Sequence, residues 1–300
     1  MPGTLIVGDA RIDSVVDIAR FDMSLKWFFP GVDPAALDPA RDWLEPTFLE
    51  GDRLSIAIQS FVIRLEGTTI LVDTCVGEQK ERVRHKLWHE RRDTGYLARL
   101  AALGLAPEDI DIVFCTHLHA DHVGWNTRLE NGRWVPTFPN ARYVMAKDEV
   151  AHWQARLATR PAEEVNHGSF ADSVLPVLES GRALLVDADH EIVDGLVVRA
   201  LPGHTPAHAG LSLRRNGCGC LFTGDAIHHP AQLVQPDWSS ALCDDRLRAS
   251  QTRRRFLAEA ADRDDWLVPA HFMDIVGLRI RAHGDGYVPT TPLGSATAVA

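Results

Sequence analysis

Apolar positions along the chain follow two spacings, and each spacing predicts a different kind of element. Alternating or continuous apolar runs bounded by Gly, Asn or Asp predict β-strands. These runs cover residues 54–65, 69–73, 110–115, 141–145, 191–201, 211–213, 220–223 and 266–268. Apolar residues at helical spacing predict α-helices over residues 96–105, 148–156 and 247–261. Because strands and helices are mixed and several hairpins occur, the pattern favours a mixed α/β fold over a purely parallel sheet.

The length and composition predict one large domain, or at most two. The chain has 300 residues, of which 45% are hydrophobic, and this suffices for a substantial core. We assign residues 1–283 to a single domain, within which residues 1–50 form an N-terminal segment that covers the site or makes a dimer contact. The remaining residues, 284–300, are rich in Gly, Pro, Thr and Ala and are expected to be a loosely held tail.

The charge balance argues against several classes of partner. A net charge of −10 and the absence of a strong basic stripe exclude a protein built to hold a nucleic-acid backbone. The run Arg253 to Arg255 lies inside a helical pattern and is best explained as a solvated helix face. We find no signal-peptide pattern and no apolar run long enough to cross a bilayer, so we expect a cytoplasmic protein that does not bind membranes.

The cysteines do not form a recognisable framework. Their number is odd, five, and they are scattered along the chain. Cys218 and Cys220 follow Asn216-Gly217, which is a strong hairpin-turn signal. We therefore predict that they open a returning strand as structural thiols.

The segment THLHADHVGW, residues 116–125, concentrates groups that can bind metal. It directly follows the strand predicted at residues 110–115 and holds His117, His119, Asp121 and His122. A single histidine after a strand is usually a packing residue, whereas four ligand-type side chains within six residues indicate a metal site.

Three later strands each end in one further ligand-type residue. These residues are His204, Asp225 and His271, and glycine precedes the first two, which lets the backbone turn sharply. Each alone would more often be a core or surface residue, but all seven at strand ends make coincidence improbable. We predict one ion on His117, His119 and His204, a second on Asp121, His122 and His271, and Asp225 as a bridge. Imidazole and carboxylate suit zinc, with manganese, cobalt or iron as alternatives.

This arrangement resembles the signature of the metallo-β-lactamase superfamily, an HxHxDH motif followed by a distant His, Asp and His. The resemblance spans about residues 50–275 and is carried by residues 116–124, 202–206, 223–225 and 270–271. It implies a four-layer αβ/βα sandwich with mixed β-sheets and a metal site at one edge. It also implies that Asp73 orients the ligands, although a turn-capping aspartate remains an alternative.

Ligand identities narrow the choice within that superfamily. Asp225 stands where common true β-lactamases carry cysteine, and His119 stands where the oxygen-reducing di-iron members carry glutamate. The layout is similar to that of N-acyl homoserine lactonases and of methyl parathion hydrolase. His228, three residues after Asp225, is similar to the histidine that methyl parathion hydrolase has at this position, where the lactonases carry tyrosine. We therefore expect hydrolysis of a lactone or carboxylic ester. A phosphotriesterase or aryl-ester hydrolase, a thioesterase, and a metal-binding protein that has lost catalysis remain alternatives.

Two further sets of residues complete the predicted site. We expect Asp121 to hand a proton to the leaving oxygen and His228 to line the site without binding metal. Trp27, Phe28, Phe29 and Trp125 are candidates for an apolar wall, which would select a small-molecule substrate with an apolar acyl or aryl part. A core position or a contact in a homodimer explains the Trp27 to Phe29 cluster equally well.

Overall fold

The chain folds into two compact units in this computed structural model, which describes residues 3–291 and residue 293. The first unit comprises residues 3–13, 18–57 and 188–291 with 293, and the second comprises residues 14–17 and 58–187. No helix of the described residues is long and apolar enough to cross a membrane. The assignment of residues 1–283 to one domain stays a prediction.

The described residues form strands and helices throughout both units. In chain order, the strands are β1 (Leu5–Val7), β2 (Ala10–Ser24), β3 (Leu49–Glu50), β4 (Arg53–Leu65), β5 (Thr68–Val72), β6 (Ile112–Cys115), β7 (Thr127–Glu130), β8 (Arg133–Pro136), β9 (Arg142–Ala146), β10 (Ala183–Val186), β11 (Glu191–Val193), β12 (Leu196–Ala200), β13 (Ala209–Arg215), β14 (Cys218–Gly224), β15 (Trp266–Pro269), β16 (Ile280–His283) and β17 (Gly286–Pro289). The α-helices are α1 (Leu25–Phe28), α2 (Arg41–Leu44), α3 (Tyr96–Ala102), α4 (Ala120–Val123), α5 (Lys147–Leu157), α6 (Leu175–Glu179), α7 (Ala231–Val234) and α8 (Arg246–Arg263). Short 3₁₀ turns cover Pro34–Ala40, Pro107–Asp109, Gly124–Asn126, Ala162–Glu164 and Asn166–Gly168, and a π-helical turn covers Phe170–Val174.

The second unit is built on parallel strands. β5 pairs with β6, β6 with β9 and β9 with β10, all in parallel register. The end of β4 forms an antiparallel hairpin with β5, in which Leu65 opposes Thr68 across a turn at Glu66-Gly67. Because β5 and β6 run the same way, the residues that follow them emerge at the same edge.

The first unit contains a five-stranded sheet in the order β11-β12-β13-β14-β15. Its pairings are antiparallel except for β14 with β15, which is parallel. Strands β12, β14 and β15 therefore point the same way, and their carboxyl ends lie at one edge. The β13–β14 hairpin turns at Asn216-Gly217, where both residues have positive φ, +51° and +80°. Cys218 after this turn is exposed, and Cys220 is buried.

The structure confirms, to within a few residues, the strands and helices that the sequence predicted, and it adds further elements. The long strand β2 near the N-terminus was not predicted. At the other end, β16 and β17 form an antiparallel hairpin, so the prediction of a loose tail from Gly284 is wrong for residues 286–289. The part of that prediction at residues 292 and 294–300 lies outside the described residues.

Candidate metal centre

The HxHxDH segment of the second unit brings three imidazoles together. His117 follows β6, and Asp121 and His122 lie on the short helix α4. His117 Nε2 lies 3.0 Å from His119 Nδ1, and the ring centroids of His117 and His122 are 4.1 Å apart. Asp121 is part of the same cluster, with Oδ2 3.8 Å from His122 Nε2. The four predicted ligands of this unit are therefore neighbours.

Asp73 at the end of β5 ties this cluster to the sheet. Its Oδ1 accepts the Thr116 backbone N–H at 2.8 Å, and its Oδ2 accepts the Thr116 hydroxyl at 2.9 Å. The same Oδ2 lies 2.9 Å from His122 Nδ1. A carboxylate only accepts hydrogen bonds, so His122 carries its proton on Nδ1, and its Nε2 holds the lone pair.

The Thr116 hydroxyl sets the tautomer of a second imidazole, that of His117. Because this hydroxyl donates to Asp73, its oxygen is left to accept from His117 Nδ1, which lies 3.1 Å away. His117 then presents an unprotonated Nε2 towards His119. Asp73 and Thr116 thus leave both His117 and His122 with the lone pair that a metal ion requires.

The ligand candidates of the first unit gather around one carboxylate. His204, Asp225 and His271 follow β12, β14 and β15, whose carboxyl ends share an edge. Asp225 Oδ2 lies 3.2 Å from His204 Nε2, and Oδ1 lies 2.9 Å from His271 Nε2. The two oxygens of one buried carboxylate thus face two different imidazoles. This is the arrangement expected of a bridging ligand.

The His271 ring shows why a cation fits this position. Its Nδ1 lies 2.7 Å from the Ala57 carbonyl oxygen, which can only accept, so Nδ1 carries the proton. In the neutral ring, Nε2 then has a lone pair that faces a carboxylate oxygen of Asp225 at 2.9 Å. Two acceptors at this distance in a buried site repel each other unless a positive charge lies between them. A nitrogen–oxygen donor set of this kind suits zinc and related divalent ions.

His228 lies next to this carboxylate. Its Nε2 is 3.2 Å from Asp225 Oδ2, and its ring meets that of His204 at a centroid distance of 4.8 Å. Burial lowers the pKa of His228, while the charge of Asp225 opposes that shift. The ring of His229 has backbone partners instead. Its Nε2 donates to the Phe48 carbonyl at 2.8 Å, and its Nδ1 accepts the Ala231 N–H.

The four aromatic residues that the sequence proposed as a wall lie in different surroundings. Phe28 is buried with its ring edge-on to His228, at 5.4 Å between centroids. Phe29 is buried against Trp238, and Trp125 is buried in a stack on Tyr96. Trp27 is 55% exposed. Phe28 thus contacts a residue of the candidate site, and a role for any of the four in binding substrate stays a prediction.

Sequence analysis missed three residues that position the site. Thr116 links Asp73 to His117, as described above. His208 Nε2 accepts the backbone N–H of Asp225 at 3.0 Å, and Gln232 Oε1 accepts the backbone N–H of His228 at 2.7 Å. Thr116 and His208 lie within four residues of proposed ligands. Proximity in sequence was the one available signal, and it does not show which way a side chain points.

Comparison with known proteins supports the same interpretation. A family model described as the metallo-beta-lactamase superfamily matches residues 56–271. An N-acyl homoserine lactonase from Bacillus cereus is 26% identical over 217 residues, which cover 68% of this chain and 76% of that protein. A second one, from Bacillus sp, is 27% identical over 196 residues, 61% of this chain and 68% of that protein.

Solved structures show the fold. The dizinc quorum-quenching lactonase AidC, in complex with the product N-hexanoyl-L-homoserine, superposes with a TM-score of 0.76 at 20% identity and covers 96% of this chain and 97% of its own. A probable metal-dependent hydrolase from Staphylococcus aureus gives 0.76 at 19% identity, with 98% and 100% covered. The predicted fold class, a mixed α/β structure with mixed sheets, is confirmed.

Proposed function

The chain belongs to the metallo-beta-lactamase superfamily and is a metal-dependent hydrolase, and on that premise we propose that it opens lactone rings at a site holding two divalent ions. The observation that carries the proposal is the Asp225 carboxylate, whose two oxygens face the lone-pair nitrogens of different imidazoles. Support for the substrate comes from the curated relatives, which are N-acyl homoserine lactonases.

The seven residues predicted from the sequence supply the ligands in this proposal. Each offers one imidazole nitrogen or carboxylate oxygen. His117, His119 and His204 would hold one ion, Asp121, His122 and His271 would hold the other, and Asp225 would contribute to both. We propose zinc as the native metal, because the donors are imidazoles and carboxylates without a thiolate.

When bound, the two ions polarise the substrate carbonyl and lower the pKa of a water molecule towards neutrality. The residues of the chain do the rest. Asp73 and Thr116 hold His122 and His117 in the tautomer that leaves Nε2 unprotonated. Asp121, whose side chain is 16% exposed, carries a proton to the oxygen that leaves when the ring opens.

A substrate panel tests this function. We expect kcat/KM for a medium-chain N-acyl homoserine lactone to exceed that for an aryl ester, a phosphotriester and a penicillin. The second candidate, hydrolysis of a phosphotriester or aryl ester, is favoured by the imidazole of His228 three residues after Asp225. A phosphotriester that led the panel would replace the lactone as the proposed substrate, and a penicillin that led would refute the argument from Asp225.

His228 is expected to act on the metal site through Asp225. Its Nε2 lies 3.2 Å from Asp225 Oδ2, so we expect His228→Ala to weaken metal binding by roughly 10–100-fold, the range for lost outer partners of metal ligands. Metal titration and steady-state kinetics on the same samples measure this. A loss of about 10²–10³-fold in kcat at saturating metal would instead assign His228 to the substrate oxygen. Changes below threefold in both would make it a bystander, since both ranges start at about tenfold or above.

Two properties of the protein stay predictions beside this function. One is the role of residues 1–50, which cover the site or make a contact in a homodimer. The other is a cytoplasmic location.

A further inference from the structure

Two histidines outside the proposed ligand set meet at the surface of the second unit. His85 lies in the connection between β5 and α3, and His167 lies in the 3₁₀ turn Asn166–Gly168. Their ring centroids are 4.6 Å apart in an edge-on arrangement, and His85 stacks on Trp88 at 4.3 Å. Both rings are half-buried. We call His85 and His167 the imidazole pair.

The imidazole pair lies beside the HxHxDH segment. The turn Asn166–Gly168 packs against α4, which carries Asp121. The Asn166 side-chain amide donates to the Leu118 carbonyl, between His117 and His119. Burial lowers the pKa of His85, and the charge of Asp121 works against that shift. The turn that carries His167 is therefore in contact with the helix that carries a proposed ligand.

A buried charged clamp holds the pair in place. The fully buried Arg82 donates to both oxygens of Asp172, at 2.6 and 2.9 Å, and to the His167 carbonyl at 3.0 Å. Lys80, also fully buried, donates to Thr127 and to the Asp172 carbonyl. A bidentate Arg–carboxylate pair fixes geometry as well as contributing energy, so the connection that carries His85 and the turn that carries His167 are locked together.

The backbone at His167 gives a reason to look for function there. Asn166, His167 and Gly168 have φ values of +51°, +55° and +84°. Glycine adopts this region freely and asparagine tolerates it, whereas histidine does so less often and at a cost. Strained positions of this kind cluster at ligand clamps, which makes His167 a candidate for binding a ligand.

The chemistry of the two rings limits what they bind. Burial is the main cause that lowers the pKa of His167 to about 4, with His85 and Arg82 adding to it, so the ring is neutral at pH 7. A neutral imidazole offers one N–H donor and one acceptor. Within the described residues, no protein group forms a hydrogen bond with either ring. Two available donors suit an uncharged acceptor such as an amide carbonyl.

We propose that the imidazole pair binds the amide carbonyl oxygen of an N-acyl lactone and thereby selects acylamino lactones over plain alkyl lactones. This proposal rests on the proposed lactonase function. It deepens that function by assigning a subsite to the part of the substrate that does not react. Because the pair is held rigidly by Arg82 and Asp172, little ordering is needed when the substrate arrives.

Two variants remove the donors without disturbing their surroundings. His85→Phe keeps a flat ring on Trp88 but has no N–H. His167→Gly removes the imidazole at a φ that glycine adopts freely. The substrates are N-hexanoyl-homoserine lactone and a γ-lactone that carries an unbranched alkyl chain of matching length. The matched control is His190→Ala, because His190 is exposed in the first unit and its backbone carbonyl accepts the Val198 N–H.

Each variant should lower kcat/KM for the acylamino lactone about tenfold, the effect of one lost hydrogen bond, through a rise in KM. The alkyl lactone, the control variant and the metal content should change by less than about threefold. An equal loss with both lactones, or no loss with either, would overturn the subsite. If the unaltered protein opens neither lactone, the proposed function fails instead, and that outcome is visible before any variant is made.

Discussion

Replacing Asp225 with alanine is expected to remove most of the bound metal and to lower kcat/KM by about 10³-fold or more. The carboxylate has one oxygen 3.2 Å from His204 Nε2 and the other 2.9 Å from His271 Nε2, so its loss affects both proposed ions at once. Loss of metal-ion catalysis removes several kcal/mol of transition-state stabilisation, and about 4 kcal/mol corresponds to roughly 10³-fold. Elemental analysis and kinetics on the same preparation measure both effects.

Asp237→Ala is the matched control for that experiment. Asp237 is an exposed aspartate of the same unit, paired with Arg254, and surface pairs of this type contribute about 0–1 kcal/mol. This variant should keep two ions per chain and full activity. A complete metal complement in Asp225→Ala would contradict the bridging role. A single ion in the unaltered protein after growth with ample zinc would contradict the dinuclear site.

Removal of metal by a chelator should abolish activity, and zinc, manganese or cobalt should restore it. The apo site leaves the lone pair of His271 Nε2 facing a carboxylate oxygen, so folding also loses a stabilising ligand. An ion present at 1,000 times its dissociation constant stabilises the folded state by about 4 kcal/mol. For a chain of this size, we expect Tm to fall by about 6 °C or more. Thermal melts with and without chelator measure this shift.

Two results would contradict this expectation. Activity that persists after elemental analysis shows complete metal removal would rule out a metal-dependent mechanism. A Tm that is unchanged while activity is lost would show that the ions bind elsewhere than in the buried cluster. The Asp237→Ala variant serves here too, since its response to chelator should match that of the unaltered protein.

The sequence predicted which strand ends carry the proposed ligands, because their placement depends on backbone topology. His204, Asp225 and His271 each follow a strand whose apolar run is visible in the sequence, and parallel strands bring such ends to one edge. The same holds for His117 after β6, whereas Asp73 after β5 was expected only from the resemblance to the family. Where the position of a residue follows from where a strand ends, pattern analysis is sufficient.

Features that depend on side-chain partners were not predictable in this way. Strand β2 escaped prediction because it buries charged residues: Asp13 pairs with Arg11, and Asp17 pairs with Arg91. Its pattern is therefore not one of apolar residues inside and polar residues outside. His208 was also missed, because only the folded sheet shows that its ring accepts the backbone N–H of Asp225.

The β13–β14 turn has a practical consequence. Cys218, just after that turn, is the exposed one of the five cysteines, all of which the structure describes and none of which is paired in a disulfide. Burial raises the pKa of the other four thiols, Cys75, Cys115, Cys220 and Cys243. An alkylating reagent thus reacts with one thiol on a folded chain and with five on an unfolded one. Mass spectrometry after a brief alkylation pulse can therefore count the unfolded molecules in a sample of the natural protein or of each variant above. The natural cysteines are sufficient, so no labelling site has to be introduced.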